Sequence, residues 1–246
     1  MKTNKILILI LINSILTGCE AKNANSGANT KDSMANETMM NDEKPDTLSK
    51  QSLETLNFED ANLNELPSGW TAYLTGKGSM PVWKVVDDGG NKVLAQLSKD
   101  NPSNHFNVVV YDGFQAKDVT LQVGLKGMSG RIDQGGGFVW RFKDADNYYV
   151  VRANPLENNV VLYKVENGKR TDLPLIGKGK TYGVDAPVPG NEWNKLKLIV
   201  KSDLFTVVLN EKELFQVKDN TFTGAGKVGF WTKADAVTYF DDFEIQ

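Results

Sequence analysis

The sequence predicts an all-β fold of two packed antiparallel sheets, and three observations carry that prediction. Short segments rich in Val, Leu and aromatic residues recur along the chain after Leu53, with the alternation and length of half-buried strands. Turn residues punctuate them, and no stretch after Leu53 carries an amphipathic helix of three turns. The 194 residues from Leu53 to Gln246 are ample for one core, at a length where β-sandwiches commonly remain single domains.

Thirteen segments suit strands: Leu53–Glu59, Val82–Val86, Val93–Leu97, Phe106–Tyr111, Val119–Leu125, Phe138–Phe142, Tyr148–Ala153, Val160–Val165, Leu196–Val200, Phe205–Leu209, Leu214–Val217, Val228–Trp231 and Val237–Ile245. Lys143 to Asn147 would turn the chain between two aromatic strands. Asn167-Gly168 is a hairpin signal, and Asn210-Glu211-Lys212 closes a third turn, because Asn, Asp and Gly tolerate the backbone angles tight turns require. About thirteen strands at such spacing imply two sheets packed face to face.

The N-terminus reads differently. Lys2 and Lys5 precede the apolar run Ile6 to Ile12, and Leu16-Thr17-Gly18 lead into the only cysteine, Cys19. The run is too short to span a bilayer, which needs about 20 apolar residues. Its layout is that of an export signal. A lone cysteine makes no internal disulfide, whereas exported domains use cysteines in pairs. Residues 1–18 thus resemble a bacterial lipoprotein signal peptide, which implies lipidation of Cys19 and anchoring in the bacterial cell envelope. Glu20, rather than aspartate, after the cysteine points to the outer membrane. From residue 19 to 51 the chain is polar, and all 23 aromatic residues lie at or after Phe58. A tract with so little to bury cannot offset its ordering entropy and is expected to be a disordered tether. The folded domain is placed at 52–246.

Removing the signal takes Lys2 and Lys5 from a formal charge of −3 and leaves −5. No basic run remains for phosphate binding, so nucleic-acid partners are set aside.

Three stretches carry a family resemblance: Asn57-Phe58-Glu59-Asp60 with Leu66-Pro67-Ser68-Gly69-Trp70, the aromatic pair of strands from Gly136 to Asn154, and Gly226 to Asp235 followed by Tyr239 to Phe243. In this order they resemble concanavalin A-like jelly-roll modules of the laminin-G/glucanase superfamily, closest to the bacterial 3-keto-disaccharide hydrolase domain. The resemblance implies a jelly-roll sandwich and a sugar-related role. Alternation places Phe138, Trp140, Phe142, Val151, Ala153 and Phe230 between the sheets. Arg141, Tyr148, Arg152 and Trp231 then fall on the outer face where such modules bind glycans, with Asn154 beside them. Two arginines among apolar strands need partners. Either they pair with carboxylates such as Glu157, or they line a polar cleft in which an aromatic ring supports a sugar and guanidinium groups bond its hydroxyls.

Chemistry is mostly excluded. No Glu is followed two residues later by Asp, so the Glu-x-Asp-x-x-Glu strand of family-16 glycosidases is absent. A retaining mechanism needs carboxyl groups about 5 to 5.5 Å apart, which only separate strands could supply here. Asp144 and Asp146 are expected to cap their hairpin. His105, the only histidine, lacks a Ser or Cys partner pattern and reads as a polar residue at a strand start. Gly224-Ala225-Gly226-Lys227-Val228-Gly229 matches Gly-x-Gly-x-x-Gly but precedes no helix, and its glycines read as loop residues. Gly179-Lys180-Thr181 lacks a P-loop's first glycine, since Pro174 stands there. Asp144-Ala145-Asp146 is no EF-hand, because Tyr149 and Pro155 replace its Gly and Glu. One metal expectation comes from similar carbohydrate modules, which hold a structural Ca2+ where first and last strands meet. Glu59, Asp60, Asp241 and Asp242 are the candidate ligands, as oxygen donors suited to that ion.

The reading favoured is a lipid-anchored module that binds a glycan or another envelope component, without an evident catalytic set. A hydrolase acting on glycosides or 3-keto sugars is the second reading. A structural lipoprotein binding another envelope protein is the third.

Overall fold

The computed structural model describes residues 53–246, so the proposed signal, Cys19 and nearly all of the tether lie outside the described residues. In chain order the strands begin β1 (Glu54–Leu56), β2 (Trp70–Gly76), β3 (Trp83–Asp87), β4 (Lys92–Gln96), β5 (His105–Ala116) and β6 (Val119–Ser129). They continue β7 (Gly136–Asp144), β8 (Asn147–Asn154), β9 (Asn159–Glu166), β10 (Lys169–Asp172) and β11 (Val184–Asp185). The last are β12 (Asn194–Lys201), β13 (Leu204–Leu209), β14 (Lys212–Lys218), β15 (Gly226–Lys233) and β16 (Val237–Ile245).

Two antiparallel sheets result. The first runs β14-β13-β12-β6-β16-β4-β3, with β1 beside β16, and the second runs β10-β9-β8-β7-β15-β5-β2, with β11 beside β9. This is the jelly-roll-like sandwich that the sequence predicts. Between the sheets lie Trp70, Trp83, Phe138, Trp140, Tyr149, Phe205, Phe230, Phe240 and Phe243, all buried. Phe230 of one sheet stacks on Phe240 of the other, ring centroids 4.5 Å apart and 6° from parallel.

Three strands escape the sequence prediction: β2, β10 and the two-residue β11. β2 has the Trp, Thr and Tyr content of a strand. β10, Lys169 to Asp172, has only charged and polar residues, and only its pairing with β9 defines it. Its presence follows from the Asn167-Gly168 turn, where both residues take left-handed angles of 52° and 74°, as a two-residue type I′ hairpin requires. The first predicted strand is shorter than expected, because Phe58 adopts φ +60° and ends the extended run.

Two side assignments are corrected. β7 pairs regularly with β8 up to Trp140–Tyr149 and then shifts register before Asp144–Asn147. At this bulge Arg141 takes φ +46°. A bulge inserts residues into one strand and reverses which face the following side chains occupy. Phe142 therefore leaves the inter-sheet core and joins the cluster on the second sheet's outer face. Arg141 leaves that outer face. Only 2% exposed, it donates from Nε to the Lys117 carbonyl at 3.0 Å, from Nη1 to the Phe222 carbonyl at 2.6 Å and from Nη2 to the Ser202 carbonyl.

The motif glycines are also corrected. Gly226 and Gly229 sit within β15 rather than in a loop. A Cβ on Gly226 would meet the Arg141 carbonyl carbon at 2.4 Å, so this glycine is what allows the bulge opposite it. His105 and Asp144 behave as expected. His105 starts β5, buried, with Nδ1 2.9 Å from the Lys77 carbonyl. Asp144 Oδ1 accepts the backbone N–H of Asp146 at 2.8 Å and an amide hydrogen of Asn147 at 2.9 Å, fixing the hairpin.

Candidate functional site

The outer face of the second sheet is not a polar surface. Phe106, Val108, Val139, Phe142, Tyr148, Val150, Val161, Tyr163, Val165 and Trp231 form a second buried apolar cluster there, with Tyr73 packed against it. Cross-strand register builds the cluster in rows. Arg170 on β10 lies opposite Val165 on β9, which lies opposite Tyr148 on β8. A second row runs Val161, Arg152, Gly137, Trp231, Val108 and Tyr73. Gly137 puts no side chain between Arg152 and Trp231, and a Cβ there would meet the Val151 carbonyl oxygen at 2.0 Å.

Of the ligand residues expected from sequence, Tyr148, Arg152 and Trp231 share this face, Asn154 lies at its edge, and Arg141 does not belong to it. Arg152 is fully buried. Its Nη1 donates to Asn159 Oδ1. Its Nη2 reaches Glu157 Oε2 at 2.7 Å, Tyr182 Oη at 3.2 Å and Tyr163 Oη at 3.3 Å. Burial disfavours this charge, yet the neighbouring Tyr163, Asp133, Glu157 and Tyr182 hold the guanidinium firmly protonated. The pairing with Glu157 is thus formed, and Arg152 is largely occupied in positioning its neighbours. Burial works against ionised Glu157 as well, but Arg152 outweighs it and holds the carboxyl below its ordinary range. Tyr148 is buried, which pushes its phenol well above the usual value, and its hydroxyl meets Thr75 Oγ1 at 2.8 Å. Asn154 donates to Asp133 Oδ1 at 3.2 Å, while Lys233 Nζ lies 3.4 Å from Asp133 Oδ2.

The residue that the sequence reading missed is Arg170. Its guanidinium carbon lies 4.4 Å from the Tyr163 ring centroid, 5.2 Å from Phe106 and 5.6 Å from Trp231. Such stacking is favourable for a weakly hydrated planar cation. Its Nη1 is buried without a hydrogen-bond partner, and no carboxylate pairs with it among the described residues. Buried polar groups are normally satisfied, so an orphaned donor on an aromatic bed asks for an explanation. Tyr182, half exposed, accepts a hydrogen bond from the Tyr163 hydroxyl at 2.9 Å and stands at the rim. The Asn-Gly turn was the signal that could have revealed β10 and with it Arg170.

The calcium candidates gather without forming a ligand cage: Glu59 and Asp242 lie near enough to Asp241 to act on its charge. Among the described residues no three His, Cys, Asp or Glu side chains form a group able to hold a metal ion. Glu59 Oε1 accepts the Lys92 backbone N–H at 3.0 Å, and the Lys92 ammonium occupies the carbonyls of Glu59 and Ala61 at 2.8 and 2.9 Å. Asp241 turns instead toward Asn91, while Asp60 and Asp242 are exposed.

The family model for the 3-keto-alpha-glucoside-1,2-lyase-like domain matches residues 58–246. The chain belongs to this family. No curated protein matches it significantly. Among solved structures, the carbohydrate-binding module CBM66 from Bacillus subtilis aligns with a TM-score of 0.54 at 20% identity, covering 71% of this chain and 93% of that one. The cellulose-induced protein Cip1 aligns with the same TM-score at 11% identity, covering 78% and 96%. At such identities these likenesses show that the lyase-like domain shares a sandwich fold with both.

Proposed function

We propose that the protein is a glycan-binding module of the bacterial cell envelope, anchored through a lipid on Cys19, with its ligand seated on the outer face of the second sheet. The observation that carries this reading is Arg170, spread over Tyr163, Phe106 and Trp231 with Nη1 unpartnered. A sugar laid at the rim would offer its apolar ring face to the half-exposed Tyr182, which packs on Tyr163, and its hydroxyl or keto oxygens to the guanidinium. The carbohydrate-binding neighbour and the sugar-directed family support the same reading. Replacing Cys19 by Ala is expected to release the chain from the membrane fraction. A chain that stays membrane-bound would overturn the anchor.

A glycan array that includes oxidised glucosides tests the site. The full chain is expected to retain a subset, and Arg170→Gln to weaken retention at least tenfold, roughly 1.4 kcal/mol, with the melting temperature little changed. No retention, or undiminished binding by the variant, would sink it. The lyase-like family match favours a second reading, turnover of a 3-keto-glucoside. There the 3-keto group acidifies the C2–H, and a carboxylate such as Glu157, held ionised by Arg152, takes that proton as base. The C1–O bond breaks to leave a C1–C2 double bond, while the aglycone oxygen departs with the bonding pair and takes a proton from water or from the protonated carboxyl. In that case Glu157→Gln would abolish consumption of the keto-sugar.

A further inference from the structure

The outer face of the first sheet carries a separate cavity of about 300 Å3, whose lining includes Gln122, Gly124, Trp193, Asn194, Asp241 and Glu244. Its floor comes from register. Gly124 of β6 lies opposite Asp241 of β16, and the bulge that follows Asp241 spreads β16 before Glu244 pairs with Gln122. The missing side chain at Gly124 makes room for an indole: a Cβ there would stand 3.3 Å from Trp193 Cε3. Lys126, paired with Asp88, holds its ammonium 5.2 Å from the same ring. Trp193 is nonetheless 42% exposed, whereas the other four tryptophans are 7% exposed or less.

Facing it, Asp241 is only 6% exposed. Its Oδ2 accepts from Asn91 Nδ2 at 2.7 Å, but Oδ1 is buried with no partner. Burial, with Asp242 and Glu59 nearby, raises the pKa of this carboxyl. The amides around it are already oriented. Gln122 donates to Glu244 at 2.9 Å, and Asn194 donates to the carbonyls of Pro189 and Glu192 at 2.9 and 3.0 Å. An exposed indole, an unmet buried acceptor and a few fixed amides in a concave site are the makings of a small-ligand pocket.

We propose that this cavity is a second carbohydrate site, which takes a neutral pyranose with one ring face on Trp193 and a hydroxyl donating to Asp241 Oδ1. Stacking suits the C–H face of a pyranose, and the orphaned carboxylate oxygen needs a donor. Asp241, Asp242 and Glu244 outnumber Lys195 in the lining, and the nearby Lys126 is already paired with Asp88, which disfavours an anionic sugar. The inference stands apart from the Arg170 site, which lies on the other sheet.

Saturation-transfer NMR on the full chain with methyl glucopyranoside, methyl mannopyranoside and methyl galactopyranoside tests it. At least one is expected to receive saturation at its ring C–H protons. Trp193→Ala should abolish that transfer and Asp241→Asn weaken binding about tenfold, the scale of losing one charge-assisted hydrogen bond. Arg170→Gln should leave it unchanged, so that failure of one site is distinguishable from failure of the other. No transfer to any of the three sugars, or transfer that survives Trp193→Ala, would overturn the proposal. So would a Ca2+ titration that raises the melting temperature of the unaltered chain but not of Asp241→Asn, which would give the carboxylate to a cation.

Discussion

Gly229→Ala is expected to unfold the domain or lower its stability by more than about 4 kcal/mol, a large share of the 5–15 kcal/mol typical of a domain. Gly229 sits in β15, between Val110 of β5 and Val139 of β7. A Cβ there would stand 2.0 Å from the Val109 carbonyl oxygen and 2.7 Å from the Val110 Cα. Both are backbone atoms of the neighbouring strand, so no side chain can rotate away, and β5 and β15 would have to separate. The next residue, Phe230, is stacked on Phe240 across the core, so the displacement would also disturb inter-sheet packing. Gly224→Ala, where nothing lies within 4 Å, should stay within about 0.5 kcal/mol. Urea unfolding of the two variants is the measurement. Equal midpoints would mean that the strands tolerate a wider spacing than this geometry allows.

Arg141→Met is expected to cost about 3 to 5 kcal/mol of stability. The buried guanidinium satisfies carbonyls of Lys117, Phe222 and Ser202, which belong to three separate connections of the sandwich. Losing a charge-assisted bond and leaving an acceptor unmet each count for roughly 1–3 kcal/mol. Lysine should not rescue it, because a single ammonium cannot reproduce the fork geometry. The ion pair with Asp118 contributes little: the distance is 3.6 Å and that carboxylate is 55% exposed, where such pairs bring about 0–1 kcal/mol. Asp118→Asn is therefore expected to lose less than about 1 kcal/mol in the same denaturation series. A larger loss there than for Arg141→Met would return the arginine to an ion-pair role.

These two positions show how far local pattern reading reaches. Alternation located most strands and assigned Trp140, Val151, Ala153 and Phe230 to the core, because period-2 burial is written into consecutive residues. The same rule misplaced Phe142 and Arg141, since the reversal at Arg141 depends on Gly226, some 85 residues away in sequence and adjacent in space. β10 was missed because Lys-Arg-Thr-Asp carries no apolar alternation. It exists through hydrogen bonds to β9, and the arginine it presents was invisible with it. Trp193 was passed over for a similar reason: nothing near it in sequence announces Asp241, which reaches it only through the pairing of β6 with β16.

What this chain determines by sequence alone is therefore its class and its local punctuation. Two antiparallel sheets, the Asn167-Gly168 turn and the Asp144 cap all depend on neighbouring residues and are legible one segment at a time. Tertiary structure decided the occupants of the two outer faces. It placed a guanidinium over aromatic rings on the second sheet and an indole beside an orphaned carboxylate on the first. Register, bulges and the close approach of glycine backbones set those juxtapositions, and they bring together residues whose separation along the chain carries no trace of their contact.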